Sequence, residues 1–257
     1  MGRISAVITT YNSVHSIGKC LDALKWVDEI LVIDSQSNDG TLEICSRYPN
    51  VRVIQNASVY PNVKRNQGYE EAQGGWIIAL DSDEIVPLAL ADEIKKIVFC
   101  HKQTKAGYLA SGREFIFGRW LYYVQGQKHR PQRYFLFRKG YLKYACKRIH
   151  EMPRIKGRWG YFKNWFDHEP YNYTVSSFLK KMNSYTDKDT QLLKLEDARK
   201  KFRRCKLVLL PLKNFFTMYI KHQGYRDGAQ GFILAVLNSM NIFVDYAKAW
   251  EITLRRK

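Results

Sequence analysis

The residues best equipped for chemistry stand together at Asp81-Ser82-Asp83-Glu84, directly after the apolar run Trp76 to Leu80. Carboxylate oxygens are the ligands that a hard divalent cation such as Mg²⁺ or Mn²⁺ takes, and such a cation readily bridges two phosphates. Asp81 and Asp83 are separated by one residue, so on an extended backbone both side chains leave the same face. One can then hold the cation while the other, with Ser82, meets ribose or a metal-bound water. The same spacing also suits a solvated turn that caps a helix beginning near Pro87. Two further polar groups end apolar runs in the same way: Thr9 to Asn12 after RISAVI, and Asp34 after EILVI. Neither GxGxxG nor GxxxxGK[ST] occurs, which argues against a nicotinamide enzyme or a P-loop NTPase.

The elements that must position these groups alternate in type. Arg3 to Thr9, Glu29 to Asp34, Val51 to Gln55 and Trp76 to Leu80 are short, β-branched runs that predict strands. Between them, Ile17, Leu21 and Leu24 recur at helical spacing, a short helix ends at Ile44, and Lys64 to Gln73 is rich in helix formers. Strands separated by helices predict an α/β fold with a doubly wound, mostly parallel sheet. In such a sheet ligands collect outside the carboxyl ends of the strands, where all three polar groups fall.

Composition narrows the class. The chain has 257 residues, 46% of them hydrophobic, enough to build a real core. Its formal charge of +18 is unevenly spread: residues 1–100 carry 9 Lys/Arg against 13 Asp/Glu, the remainder 33 against 11. The carboxy-terminal part therefore faces a polyanion, whether nucleic acid, an anionic leaflet or a phosphorylated glycolipid. Five cysteines without a CxxC pair, and an amino terminus without a long apolar run, predict reduced thiols and a cytoplasmic protein.

SAVITTYN, WVDEILVIDSQSNDGT, KRNQGYEEAQGGWIIALDSDE and a later IHE together resemble a family 2 glycosyltransferase of GT-A fold. FIFGRW, RYFLFRKG and GYRDGAQGFILAVLNSMNIFVDYAKAWE extend the resemblance toward the lipopolysaccharide core β-1,4-glucosyltransferases. The resemblance implies an inverting, metal-dependent hexosyl transfer from a UDP-sugar to a glycan or glycolipid acceptor. It matches Thr9, Tyr11 and Asn12 to the first nucleotide-binding loop, and Asp34 to the acid that contacts base or ribose. Arg65 and Asn66 match the basic-Asn pair, near the base or diphosphate. Asp81 and Asp83 match the ends of the DxD motif, with the divalent cation on Asp83, helped by Asp81. Glu151 is the candidate general base, a role that suits a carboxylate ionised at cytoplasmic pH. Asp167 is its reserve, and His168 is a candidate further metal or diphosphate contact. Arg133 and Arg138, alternating with aromatics, suit scaffold and substrate roles equally.

By these signs residues 1–175 are the transferase domain, with 1–100 binding the nucleotide sugar and 101–175 the acceptor, and residues 176–257 are a basic amphipathic helical extension. There Arg199 to Lys206 (RKKFRRCK) precedes Leu207 to Leu212 and Phe215, Phe216, Met218 and Tyr219. Basic and apolar bulk side by side fit an interfacial helix on an anionic membrane surface. The apolar run Gly231 to Val244 is shorter than the roughly 20 residues a spanning helix needs, which predicts a peripheral protein at the inner face of the cell membrane. A hairpin packed on its own domain, or a homo-oligomer through the carboxy-terminal helices, fits the same pattern. A nucleic-acid-binding protein would use the basic half but leaves the acidic strand ends unexplained, so no nucleic acid is expected. A metal-dependent nucleotidyltransferase would usually need a phosphate-cradling loop that the sequence lacks.

Overall fold

The computed structural model describes residues 2–58, 60–100, 103–124, 132–146, 152–170, 173–191 and 204–254. It divides into two compact units, residues 1–113 with 131–171, and residues 114–130 with 172–257. The second boundary lies close to the expected position 175, but segment 114–130, expected with the transferase domain, belongs to the helical unit.

In the first unit β1 (Ile4–Thr10), β2 (Glu29–Asp34), β3 (Val51–Gln55) and β4 (Trp76–Asp81) form a parallel sheet in the order β3-β2-β1-β4. The connecting helices are α1 (Ile17–Asp22), α2 (Thr41–Cys45) and α3 (Pro61–Glu71), with α4 (Leu88–Val98) after β4. Side chains alternate between the faces of a strand. Ala6, Ile8, Ile30, Val32, Ile78 and Leu80 accordingly join Leu21, Leu24, Leu90 and Ile94 in one core. Val7, Leu31, Ile33 and Ile77 join Tyr69 and Ala72 in another. Burial on both faces is why these strands read as unbroken apolar runs. Gly68 lets α3 approach closely: a Cβ there would lie 2.3 Å from the Val7 Cγ1 atom. That close seat carries Lys64, Arg65 and Asn66 on the preceding turns to the strand ends.

Beyond β4 the sheet turns mixed. β8 (Gln132–Arg138) runs antiparallel to β4 and to β6 (Gly107–Ile116), and the short β5 (Glu84–Ile85) pairs antiparallel with β12 (Phe166–His168). β7 (Arg119–Trp120) and β11 (Trp159–Tyr161) pair with β6, while β9 (Leu142–Lys143) and β10 (Arg154–Ile155) form a separate ribbon. The expected parallel pairing thus describes β1 to β4, and mostly antiparallel pairings complete the sheet.

The second unit holds α5 (Val175–Gln191), α6 (Arg204–Phe216) and α7 (Gly228–Leu254), with a π turn (Thr217–Lys221) and a 3₁₀ turn (Gly224–Asp227) between the last two. Ile116, Leu121, Val124, Leu234 and Ala235 form its core. Asp227, nearly fully buried, accepts the backbone N–H groups of Tyr122, Tyr123 and Val124 at 3.1, 2.8 and 2.7 Å. A carboxylate so satisfied ties the 114–130 segment to the start of α7. No helix among the described residues is long and apolar enough to cross a membrane.

Candidate active site

The parallel register places Thr9 beside Asp81 and Thr10 beside Asp34. Three loops therefore emerge side by side, and hydrogen bonds lock them. The Thr9 hydroxyl donates to Asp81 Oδ1 at 2.8 Å, and the Ser13 and Ser82 hydroxyls meet at 2.7 Å, joining the β1 loop to the acidic motif. Asp34 is buried, and both its oxygens accept from Ser37, one from the backbone N–H at 2.8 Å and one from the hydroxyl. Ser37 Oγ in turn accepts the Asn12 backbone N–H at 2.8 Å, and Asn12 Oδ1 accepts that of Asn38 at 3.0 Å. Asn12 adopts φ 47°, a left-handed conformation that Asn tolerates. Asp34 and Asn12 thus shape the two loops. Tyr11, by contrast, is 61% exposed, free to lay its ring against a ligand.

A charged cluster lies at the end of β4. Arg65 Nη2 donates to both Asp81 oxygens at 3.0 and 3.3 Å, and Arg133 Nη1 stands 3.6 Å from Asp81 Oδ2. Burial alone would raise the Asp81 carboxyl, but Arg133, Arg65 and the Thr9 hydroxyl outweigh it and hold it at about 2. Arg133 also donates to Glu84 Oε1 and to the Ala79 carbonyl, and its guanidinium lies 5.1 Å from the Phe166 ring centre. Glu84 is 4% exposed, its second oxygen accepting the Asp81 N–H at 2.8 Å. Burial pushes its carboxyl up to about 7, while Arg133 pulls it down. These contacts place Arg133 in the scaffold of the site. Arg138 likewise bonds the Gln103 and Lys105 carbonyls and stacks on Trp76.

Asp83 and His168 come together across the β5–β12 pair, Oδ2 to Nε2 at 3.2 Å, both side chains partly exposed. The Glu169 N–H donates to the Asp83 carbonyl at 2.9 Å, which fixes the two segments. Among the described residues no group of three or more His, Cys, Asp and Glu is gathered for a metal. Asp81, engaged by two arginines and a threonine, does not share the Asp83–His168 pair. A carboxylate and an imidazole still fit a divalent cation such as Mn²⁺ whose other ligands come from substrate phosphates and water.

The other anticipated residues stand differently. Asn66 Oδ1 accepts the Tyr144 N–H at 3.0 Å, and its Nδ2 donates to the Tyr144 carbonyl at 2.8 Å and lies 3.2 Å from Cys146 Sγ. It thus anchors the chain that follows β9. Asp167 is held by Arg113 through both oxygens, Nη2 to Oδ2 at 2.8 Å and Nε to Oδ1. Glu151 lies outside the described residues. Sequence reasoning passed over Lys64, whose ammonium reaches Ser35 Oγ at 2.6 Å and whose pKa is lowered by burial and by Arg65. Its signal was adjacency: Lys64-Arg65 puts two cations on the helix face nearest the strand ends. Glu84 was visible only as the tail of the acidic run.

The sequence profile described as Glycosyl transferase family 2 matches residues 5–169. The chain is similar to the lipopolysaccharide core biosynthesis glycosyltransferase LpsC of Rhizobium meliloti (strain 1021), 23% identical over 255 residues that cover 96% of this chain and 92% of that protein. It is 36% identical over 96 residues to the poly(ribitol-phosphate) beta-glucosyltransferase of Bacillus spizizenii, a match covering 33% of this chain and 15% of that one. Among solved structures, S. aureus TarS 1–349 in complex with UDP superposes with a TM-score of 0.46 at 17% identity, covering 99% of this chain and 92% of that chain.

Proposed function

The chain belongs to glycosyl transferase family 2, and from that premise we propose that it moves a hexose from a UDP-sugar, with inversion, to a lipopolysaccharide core or similar glycan acceptor. The observation that carries this reading is the convergence of the Thr9–Asn12 loop, Asp34 and Asp81–Asp83 at adjacent parallel strand ends, with Lys64 and Arg65 beside them. Acidic groups alone would repel a diphosphate; two cations on α3 give it a place to sit. The likeness to LpsC over nearly the whole chain supports the acceptor class.

In this reading Tyr11 and the Asn12–Ser37 loop cradle the nucleoside, and Arg65 turns from Asp81 toward the diphosphate. Asp83 and His168 would hold a Mn²⁺ or Mg²⁺ ion, which when bound neutralises charge on the leaving diphosphate. Arg133 and Glu84 keep Asp81 in place. A general base, Glu151, takes the proton of the acceptor hydroxyl as its oxygen attacks the anomeric carbon opposite the departing nucleotide. Asp167, in reserve, would first have to leave Arg113.

The protein acts at the inner face of the cell membrane. α6 supports this: Val208, Leu209, Leu212 and Phe216 are exposed on it beside Lys206 and Lys213. Apolar bulk flanked by lysine is the arrangement that seats a helix at an anionic headgroup layer.

The test is a thermal-shift panel of UDP-glucose, UDP-galactose, UDP-N-acetylglucosamine, GDP-mannose and UDP, each with Mn²⁺ and with EDTA. A ligand that binds only the folded state raises its melting temperature. A Mn²⁺-dependent rise with one UDP-sugar is expected. A rise with GDP-mannose alone, or none with any donor, would overturn the UDP reading.

A further inference from the structure

The outward face of α7 is apolar where a solvent-facing helix is normally charged. Ile233, Val236, Met240, Phe243, Trp250 and Leu254 are 38–49% exposed. With Ala247 they recur at alternating intervals of three and four residues, an unbroken heptad seam from 233 to 254. A 3.5-residue repeat held over three heptads is the pattern by which one helix lies along another. The side chains that bind α7 to its own unit, Leu234, Ala235 and Leu237, are buried and lie outside this seam.

Charge and shape decide what covers it. Lys248 of α7 is directed to α5, where its ammonium meets Asn183 Oδ1, Thr186 Oγ1 and Asp187 Oδ1 at 2.6–2.8 Å. Glu251 is the charged side chain among the described exposed residues of the seam face. An anionic lipid surface would call for lysine or arginine along the edge; α6 carries them, whereas the lysine of α7, Lys248, is engaged by α5. The sequence of the seam is instead complementary to itself when reversed. With a two-fold axis near Phe243, Met240 of one copy meets Ala247 of the other, Val236 meets Trp250, and Ile233 meets Leu254. Met240 then faces the small Ala247 and Trp250 the smaller Val236, with Phe243 meeting its own copy at the axis, whereas a parallel pairing would set Trp250 on Trp250 and leave a gap at Ala247. The exposed part of the seam comes to roughly 500 Å² per copy, taking roughly 150–250 Å² for a large apolar side chain. Two such faces bury roughly 1,000 Å² together, about the least a specific interface needs.

We propose that α7 is the interface of an antiparallel two-fold homodimer, built on the seam from Ile233 to Leu254. This is independent of which donor the first unit binds. An isologous contact of this kind closes on itself and leaves no second seam to propagate.

Sedimentation equilibrium of the full chain at micromolar concentration should give twice the chain mass. Phe243→Lys, which brings two like charges together at the axis, should return the mass to that of one chain with the melting curve of the fold retained. Leu209→Lys on α6 should leave the dimer intact. Orientation is read by oxidative cross-linking: Met240→Cys with Ala247→Cys should give a covalent dimer beyond that of the parent chain, and Met240→Cys alone should not. A wild-type chain that stays monomeric, or a dimer that Phe243→Lys leaves intact, overturns the proposal. So does a monomer whose binding to phosphatidylglycerol vesicles is lost with Phe243→Lys, since the occupant would then be lipid. Cross-linking by Met240→Cys alone overturns the antiparallel arrangement.

Discussion

Replacing Arg133 with methionine isolates the electrostatics of the site from its shape, because methionine keeps much of the length of the side chain and removes only the guanidinium. Arg133 is the cation that bonds Glu84, and Glu84 is 4% exposed. Without it a buried carboxylate loses its counter-charge, a change that typically costs roughly 3–5 kcal/mol. In the native protein burial raises the Glu84 carboxyl to about 7 despite Arg133. A folded-state pKa raised above the unfolded value contributes stability that is fully present below the unfolded pKa and lost as pH rises through the folded one. The native contribution is therefore spent above about 7. In Arg133→Met the carboxyl rises further, so stability keeps falling above that pH by about 1.4 kcal/mol per unit while the native curve has levelled. Thermal melts followed by circular dichroism should show a loss on the order of 10 °C near pH 8.5, taking about 2–4 °C per kcal/mol. The loss should shrink at acid pH, where Glu84 takes a proton. Adding Glu84→Gln should restore much of the loss at alkaline pH, a coupling of roughly 2 kcal/mol. A loss that is the same at both pH values and unrelieved by Glu84→Gln would refute the reasoning and make Arg133 a packing residue on Phe166.

Three other outcomes test the roles assigned above. Asp83→Ala should lower turnover by roughly a hundredfold or more at saturating donor while leaving the melting temperature within about 2 °C, because Asp83 is partly exposed and the fold does not depend on it; near-normal activity in a steady-state assay would remove it from the metal site. Glu151→Gln should bind UDP-sugar as before in a thermal-shift titration and lose transfer, and a fully active variant would move the base to Asp167. Asp227→Ala should destabilise the helical unit by roughly 3 kcal/mol, since three backbone N–H groups lose a charged acceptor at once; an unchanged denaturation midpoint in urea would show that water replaces it.

Strand Val51–Gln55, half-exposed at the sheet edge, was legible from its β-branched residues. Strand Glu29–Asp34 was legible residue for residue, and β4 to within one, because strands buried on both faces are continuous apolar runs bounded by polar turns. The acidic motif at the end of β4 was legible for the same reason: a polar cluster after such a run can only be a strand end. Local pattern also identified the helical carboxy-terminal region. It could not show that segment 114–130 packs with that region, since this depends on Asp227 bonding backbone groups about a hundred residues away.

Within the site, sequence alone determined which groups lie at the strand ends, because that follows from chain order in a parallel sheet. Only tertiary structure decided what each group does there. Asp34 and Asn12 lock loops, Asn66 anchors the chain after β9, and Asp81 is held by Arg65 and Arg133 while Asp83 goes to His168. Asp81 and Asp83 have the same chemistry and are two residues apart, so nothing in their spacing distinguishes them. Their partners come from β1, α3, β8 and β12, far apart in sequence and adjacent in space, and it is the field of those partners that gives two identical carboxylates different work.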